Sequence, residues 1–283
     1  PYAGVNRWKK KYTAMHYLSY NILPWLNAGL FEAIIFPAED DNGRLGFEIA
    51  YLNPVIFYRP VEYEAGSSHN ALMGLNLRFI VKKKYVVYTQ FMLDEFRLEY
   101  MLERNGWWAN KNGLQAGVKT YDFLGYKNLY QQLEYNQVGL NTFSQKKEIK
   151  NYGHFNQPIG HPQGANFREL LFRTSYRYQR LLVDLKLVTV VYGADTANLN
   201  FGKNVFLPYN TYVSEFGNKI GQGLRTRLTD VEFRGGWLVN PETNLQVSLG
   251  INVRVQQNDL KDTRSSLLWI GIRSALFNKY YDW

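Results

Sequence analysis

The sequence predicts an all-β fold, a single antiparallel transmembrane β-barrel, and three observations predict it. Apolar and polar residues alternate with period two over unusually long runs, those runs recur along the chain, and the connections between them alternate short and long. In the clearest run, Leu245, Val247, Leu249, Ile251, Val253 and Val255 alternate with Gln246, Ser248, Gly250, Asn252, Arg254 and Gln256. Strands of soluble sheets usually stop after about 5–6 residues. A tilted strand that crosses a bilayer needs about 9–11.

About twelve strands are expected. The first two, 12–22 and 25–36, flank Pro24, which cannot continue a ladder. A short run at 46–52 gives the third. The next, 71–82, has Leu75, Leu77, Phe79 and Val81 against Asn76, Arg78 and Lys82. Strands at 85–97, 113–123 and 127–140 follow. Then 167–178 sets Leu170, Phe172, Thr174, Tyr176 and Tyr178 against Arg173, Ser175 and Arg177, and 181–192 sets Leu181, Val183, Leu185 and Leu187 against Asp184 and Lys186. The last three are 222–238, 243–257 and 265–277.

The connections sort by parity. Lys82-Lys83-Lys84, Leu124-Gly125-Tyr126, Gln179-Arg180 and Asn240-Pro241-Glu242-Thr243 are short, whereas 53–70, 98–112, 141–166, 193–221 and 258–264 are longer. Outer-membrane barrels carry short periplasmic turns on one rim and long extracellular loops on the other. Both chain ends are expected on the periplasmic side. The run from Leu276 to Trp283 ends on an aromatic residue, as such barrels commonly do.

Composition excludes several classes. The 283 residues carry a net charge of +9 and 16% aromatics, so the chain is not disordered. It has no cysteine, which removes thiol nucleophiles, zinc knuckles and iron–sulfur clusters. The longest stretch without Asp, Glu, Lys or Arg, 12–31, contains His16, Ser19, Asn21, Pro24 and Asn27 and is too polar for a transmembrane helix. The chain opens at Pro1, so its N-terminus is expected to be processed or to be part of a longer protein.

With the apolar sides facing lipid, Arg78, Arg173, Arg177, Lys186, Arg254 and Arg273 face the lumen, with Asp184 the clearest acid. That set favours anions such as acidic sugars or lipopolysaccharide phosphates. The basic residues follow strand period instead of forming one patch, so nucleic acid is not an expected partner.

No catalytic, metal or cofactor site is expected. The segment 151–166 holds His154 and His161 but no acidic third ligand, and its Pro and Gly residues forbid a helix. It is expected to fold inward as a plug, with Tyr152, His154, Asn156, His161 and Asn166 inside the mouth. Glu95, Glu99 and Glu103 have helical spacing and read as the solvated face of a short loop helix. Ser67-Ser68-His69-Asn70 puts a serine beside a histidine, but neighbours in a loop do not make a triad.

The stretches Leu52-Asn53-Pro54-Val55-Ile56-Phe57-Tyr58-Arg59-Pro60, Asn70-Ala71-Leu72-Met73-Gly74-Leu75, Gln90-Phe91-Met92-Leu93-Asp94-Glu95-Phe96, Leu133-Glu134-Tyr135-Asn136 and the 151–169 loop together resemble the Bacteroidetes RemB-type gliding motility barrels, which are similar to the Wzi capsule-assembly barrels. The resemblance runs from about residue 29 to the end. It implies a non-enzymatic outer-membrane barrel of a Gram-negative bacterium, associated with surface polysaccharide, gliding, or a type 9 secretion complex. Implied partners are outer-membrane lipid and lipopolysaccharide, acidic surface polysaccharide, and other proteins of such a complex. A plain diffusion porin is the weaker alternative.

Two departures stand out. After Tyr135-Asn136 these barrels usually carry an Arg-Pro-Tyr-Thr-Tyr-Ser-His run, where this chain has Gln137-Val138-Gly139-Leu140-Asn141-Thr142-Phe143. Wzi-type barrels also have about eighteen strands, so twelve would leave several N-terminal strands outside this chain.

Overall fold

The computed structural model describes residues 9–40, 43–44, 46–57 and 69–274. Eleven strands form one antiparallel sheet in which each strand lies beside the next in sequence. They are β1 (Lys11–Leu23), β2 (Leu26–Pro37), β3 (Asn70–Val81), β4 (Tyr85–Leu93), β5 (Asn112–Tyr121), β6 (Leu129–Val138), β7 (Phe167–Tyr178), β8 (Leu181–Ala194), β9 (Leu224–Asn240), β10 (Leu245–Gln257) and β11 (Thr263–Arg273). Two small ribbons, Glu39–Asp40 with Gly43–Arg44 and Gly153–His154 with Gln157–Pro158, stand apart. Among the described residues one short helix, α1 (Leu98–Glu103), carries Glu99 and Glu103, as their spacing predicts, whereas Glu95 precedes it and lies 3.2 Å from Lys111 instead of sharing its face. Among the described residues, no helix is long and apolar enough to cross a membrane.

The alternation of residues sorts into two faces. Trp237 pairs with Val247, Phe233 with Ile251, Leu249 with Ile270 and Val247 with Ile272, and all of these side chains are exposed on one face. The opposite face buries Leu72, Met92, Val138, Phe167, Val190 and Leu228. An apolar outer surface backed by a partly polar inner one is the pattern of a membrane barrel wall. The sheet is not closed: β1 and β11 are its two edges.

Loop parity holds around the whole sheet. Residues 24–25, 82–84, 122–128, 179–180 and 241–244 join strands on one rim; 38–69, 94–111, 139–166, 195–223 and 258–262 join them on the other. Lys82 and Lys83 have φ of 49° and 56°, the left-handed geometry whose twist matches that of the hairpin strands.

The 46–52 strand does not form. Ile49–Leu52 is a 3-10 turn, and only its Tyr51 is buried, against Phe36 of β2. A short apolar run does not distinguish a strand from a covering loop; here the residues lie over the outer-face patch of Tyr12, Ile34 and Phe36. Removing that strand leaves an odd number, so β1 begins on the long-loop rim while β11 ends on the short-turn rim. The expectation that both ends share the periplasmic side is therefore corrected for the described residues. The other strands differ only at their ends: the fifth run stops at Leu93, before the buried Asp94. Ser67, Ser68, Tyr58 to Pro60 and the run from Leu276 to Trp283 lie outside the described residues.

Candidate functional site

Register builds the site. On the inner face Asn76 of β3 pairs with Gln90 of β4, Gln90 with Gln115 of β5, Gln115 with Asn136 of β6, and Asn136 with Glu169 of β7. Four amides and a carboxylate thus lie in one row across five strands. Glu134 and Glu169 anchor a hydrogen-bond network around it. Asn136 Nδ2 donates to Glu134 Oε1 and to Glu169 Oε1, at 2.9 Å each. Tyr88 donates its hydroxyl to Glu134, and Gln132 Nε2 donates to both Tyr88 (3.0 Å) and Glu134 (3.1 Å).

The 139–166 loop packs onto this wall. Phe143 and Tyr152 are buried in the same cluster as Ala33, Leu72, Met92, Val138 and Phe167. The loop's shape comes from specific contacts: Asp94 Oδ2 accepts from the Phe143 N–H at 2.8 Å, and Tyr152 N–H donates to Phe143 O at 2.8 Å. His161 Nε2 lies 3.3 Å from Glu169 Oε1, which joins the loop to the amide row. At the loop's exit Asn166, fully buried and at φ 55°, accepts from Gly221 N–H at 2.7 Å and donates to the carbonyls around it.

Between wall and loop is a cavity of about 390 Å³ lined by Tyr17, Phe31, Asn76, Gln90, Gln115, Asn136, Phe143, Tyr152 and His161. Its size falls in the range of small-ligand sites. Asn76 Nδ2 donates to Tyr17 Oη at 3.4 Å, while its buried Oδ1 has no hydrogen-bond partner among the described residues. Such a cavity offers amide donors and acceptors beside aromatic rings, a combination suited to a ligand with hydroxyls on one side and C–H groups on the other.

A second cluster caps the loop rim. Lys111, with no exposed side chain, sits 3.2 Å from Glu95 and donates to Ser144 O at 3.0 Å. It also lies 4.0 Å from the Tyr209 ring centroid. Trp108 stacks on Tyr212 at 4.5 Å. Burial pushes the Asp94 carboxyl up to about 6, against the pull of Lys111. Burial likewise raises the Tyr209 hydroxyl to about 12 and lowers the Lys203 ammonium to about 8.

The predicted site residues fall as follows. Arg173 pairs with Lys186, Arg177 with Leu182, Arg254 with Asp230 and Arg273 with Gln246, while Arg78 pairs with Tyr88; all lie on the inner face by register. Acids share their rows. Asp184 holds Arg234 at 2.5 Å and accepts from Ser175 at 2.6 Å, while Lys186 pairs with Glu232. Within the loop Tyr152, His161 and Asn166 turn inward. His154 and Asn156 do not: both are exposed on the ribbon at the loop tip, where Phe155 and Asn156 take left-handed φ of 45° and 59° and reverse the chain. Sequence reasoning missed the amide row and the inner acids Glu134, Asp230 and Glu232, because strand alternation gives a face but not which residues become neighbours. Among the described residues no three His, Asp or Glu side chains gather as a metal site.

No protein-family model matches the chain, and no curated protein matches it. Among solved structures it is similar to Wzi from Escherichia coli, described as an outer-membrane protein involved in group 1 capsule assembly and a carbohydrate-binding β-barrel. The identity is 12% and the TM-score 0.56, over 93% of this chain and 51% of that one. OccD1 (OprD) aligns at 12% identity with a TM-score of 0.41, over 93% of this chain and 59% of that one. The chain thus spans about half the length of the Wzi barrel. The fold is that of outer-membrane β-barrels.

Proposed function

We propose that this chain acts at the outer membrane, as one barrel domain, as a non-enzymatic binder or organiser of surface polysaccharide. The observation that carries the reading is the inner-face amide row lining a cavity in which Asn76 Oδ1 is buried without a partner among the described residues. A sugar hydroxyl supplies the missing donor, and the aromatic rings of Tyr17 and Phe31 accept the apolar face of a pyranose. The likeness in fold to a barrel described as carbohydrate-binding supports it. Arg78, Arg173, Arg177, Lys186, Arg254 and Arg273 are proposed to bias the lumen toward acidic chains, although the inner acids offset part of their field. The sequence resemblance to gliding-motility barrels extends the proposal to polysaccharide handling during gliding.

Detergent-solubilised protein titrated with a panel of neutral and acidic saccharide oligomers tests this. Gln115→Leu is expected to weaken saccharide binding roughly tenfold, the scale of one good polar contact. Binding unchanged by Gln115→Leu would remove the cavity from the reading, and no binding to any saccharide would remove the reading itself. In that case, co-purification with secretion or gliding proteins would favour a scaffold, and conductance in planar bilayers a porin.

A further inference from the structure

A second concavity, larger than the inner-face cavity, lies on the long-loop rim. It has a cavity volume of about 990 Å³, and two lysine-rich segments line it: Lys9, Lys10 and Lys11 at the start of β1, and Lys146, Lys147 and Lys150 from the 139–166 loop. They lie some 140 residues apart in sequence and are fastened together. Lys11 Nζ donates to Asn151 O at 2.8 Å and to Asn151 Oδ1 at 2.9 Å. Glu39 and Glu148 also line the groove, so cations outnumber acids among the described residues that line it. Lys9, Lys10 and Lys146 are exposed.

The rest of the lining has its own chemistry. Phe155, 78% exposed, and Phe206 supply aromatic surface, and His154 and Asn156 supply polar atoms. The residues that fail to enter the lumen therefore line this groove. Exposed lysines on one element usually form a solvated face. Here the exposed Lys9, Lys10 and Lys146, drawn from two segments, face one concavity beside a well-exposed phenylalanine, and a polyanion laid along it would meet all three.

We propose that this groove binds an anionic saccharide chain through its carboxylates, with the rings of Phe155 and Phe206 against the sugar C–H faces. This rests on the glycan-binding reading above and moves its acidic-chain contact from the lumen to the rim. Ammonium groups are compact point charges, and spacing them along a groove suits a polymer with a charge on each repeat. A single phosphate would be held better by the planar fork of arginine, and no arginine is among the described residues that line the groove.

The test uses full-length protein in detergent, titrated with oligogalacturonate and with neutral dextran oligomers at two salt concentrations. Wild type is expected to prefer oligogalacturonate, with affinity falling as salt rises. Lys9→Gln/Lys10→Gln/Lys146→Gln, all exposed positions, is expected to weaken that binding about tenfold or more. A control with the same loss of charge on the opposite rim, Lys82→Gln/Lys83→Gln/Lys127→Gln, is expected to bind as wild type. Equal loss in both variants would reduce the effect to net charge and overturn the groove. Wild-type binding by the rim variant would also overturn it while leaving the glycan reading intact. Displacement of oligogalacturonate by an equal concentration of inorganic phosphate would reassign the groove to phosphate. No saccharide binding by wild type would overturn both readings.

Discussion

Asn166 and Gly193 hold each other by both ends: Asn166 Nδ2 donates to Gly193 O at 2.9 Å, and Gly193 N–H returns a bond to Asn166 O at 3.2 Å. The same amide reaches Phe201 O at 3.0 Å and Gln222 O at 2.9 Å, so one side chain ties the end of the inner loop to both ends of 195–223. Asn166→Ala is expected to loosen that loop by about 2–4 kcal/mol, since it strands several buried carbonyls at once. Gly193→Ala is expected to do at least as much, because an added Cβ would stand 1.7 Å from Gln222 O. Hydrogen exchange across 195–223 reads both; protection unchanged in either variant would contradict the role.

Asp94 makes stability depend on pH in an unusual direction. Its carboxyl is raised from 3.8 to about 6 by burial, so the folded protein holds this proton more tightly than the unfolded chain. Its contribution is therefore greatest below about pH 4, declines as pH rises to about 6 and then levels, a span of about 3 kcal/mol. Asp94→Asn keeps an acceptor for the Phe143 N–H and is expected to remove that decline. Thermal melting of wild type and variant from pH 4 to 7.5 measures the difference. Parallel curves would sink the argument.

The two loop histidines should separate. His161 lies against Glu169 and 4.5 Å from the Phe167 ring centroid, so His161→Ala is expected to cost roughly 1–3 kcal/mol and to raise single-channel conductance. His154 is exposed, and His154→Ala is expected to change stability by no more than about 0.5 kcal/mol. Zinc or iron bound at either histidine would contradict this account.

Loop parity predicts protease access on intact cells. Cleavage is expected within 195–223 and at the exposed tip around Phe155, while the buried flanks of 139–166 and the Lys82-Lys83-Lys84 turn are spared. Cutting confined to the short turns would invert the topology.

Much of the wall was legible because a strand reports its own faces: Leu249 and Ile251 point one way and Gly250 and Asn252 the other whatever lies beside them. The rhythm of loops was legible for a similar local reason. What was not legible depends on pairs distant in sequence. Asn76 and Glu169 are ordinary polar residues until register puts them in one row, and Tyr51 reads as a strand residue until Phe36 is seen beneath it. His154 and His161 differ only in which side of a left-handed reversal at Phe155 and Asn156 they occupy, and a sequence does not display that reversal.

Strand direction carries a further arithmetic. In a meander of eleven antiparallel strands, β1 and β11 run the same way. Seaming them directly would make one parallel joint in an otherwise antiparallel ring, and bacterial barrels of this kind have even strand numbers. Any all-antiparallel ring that includes this sheet must therefore place an odd number of further strands between β11 and β1, whatever chain supplies them.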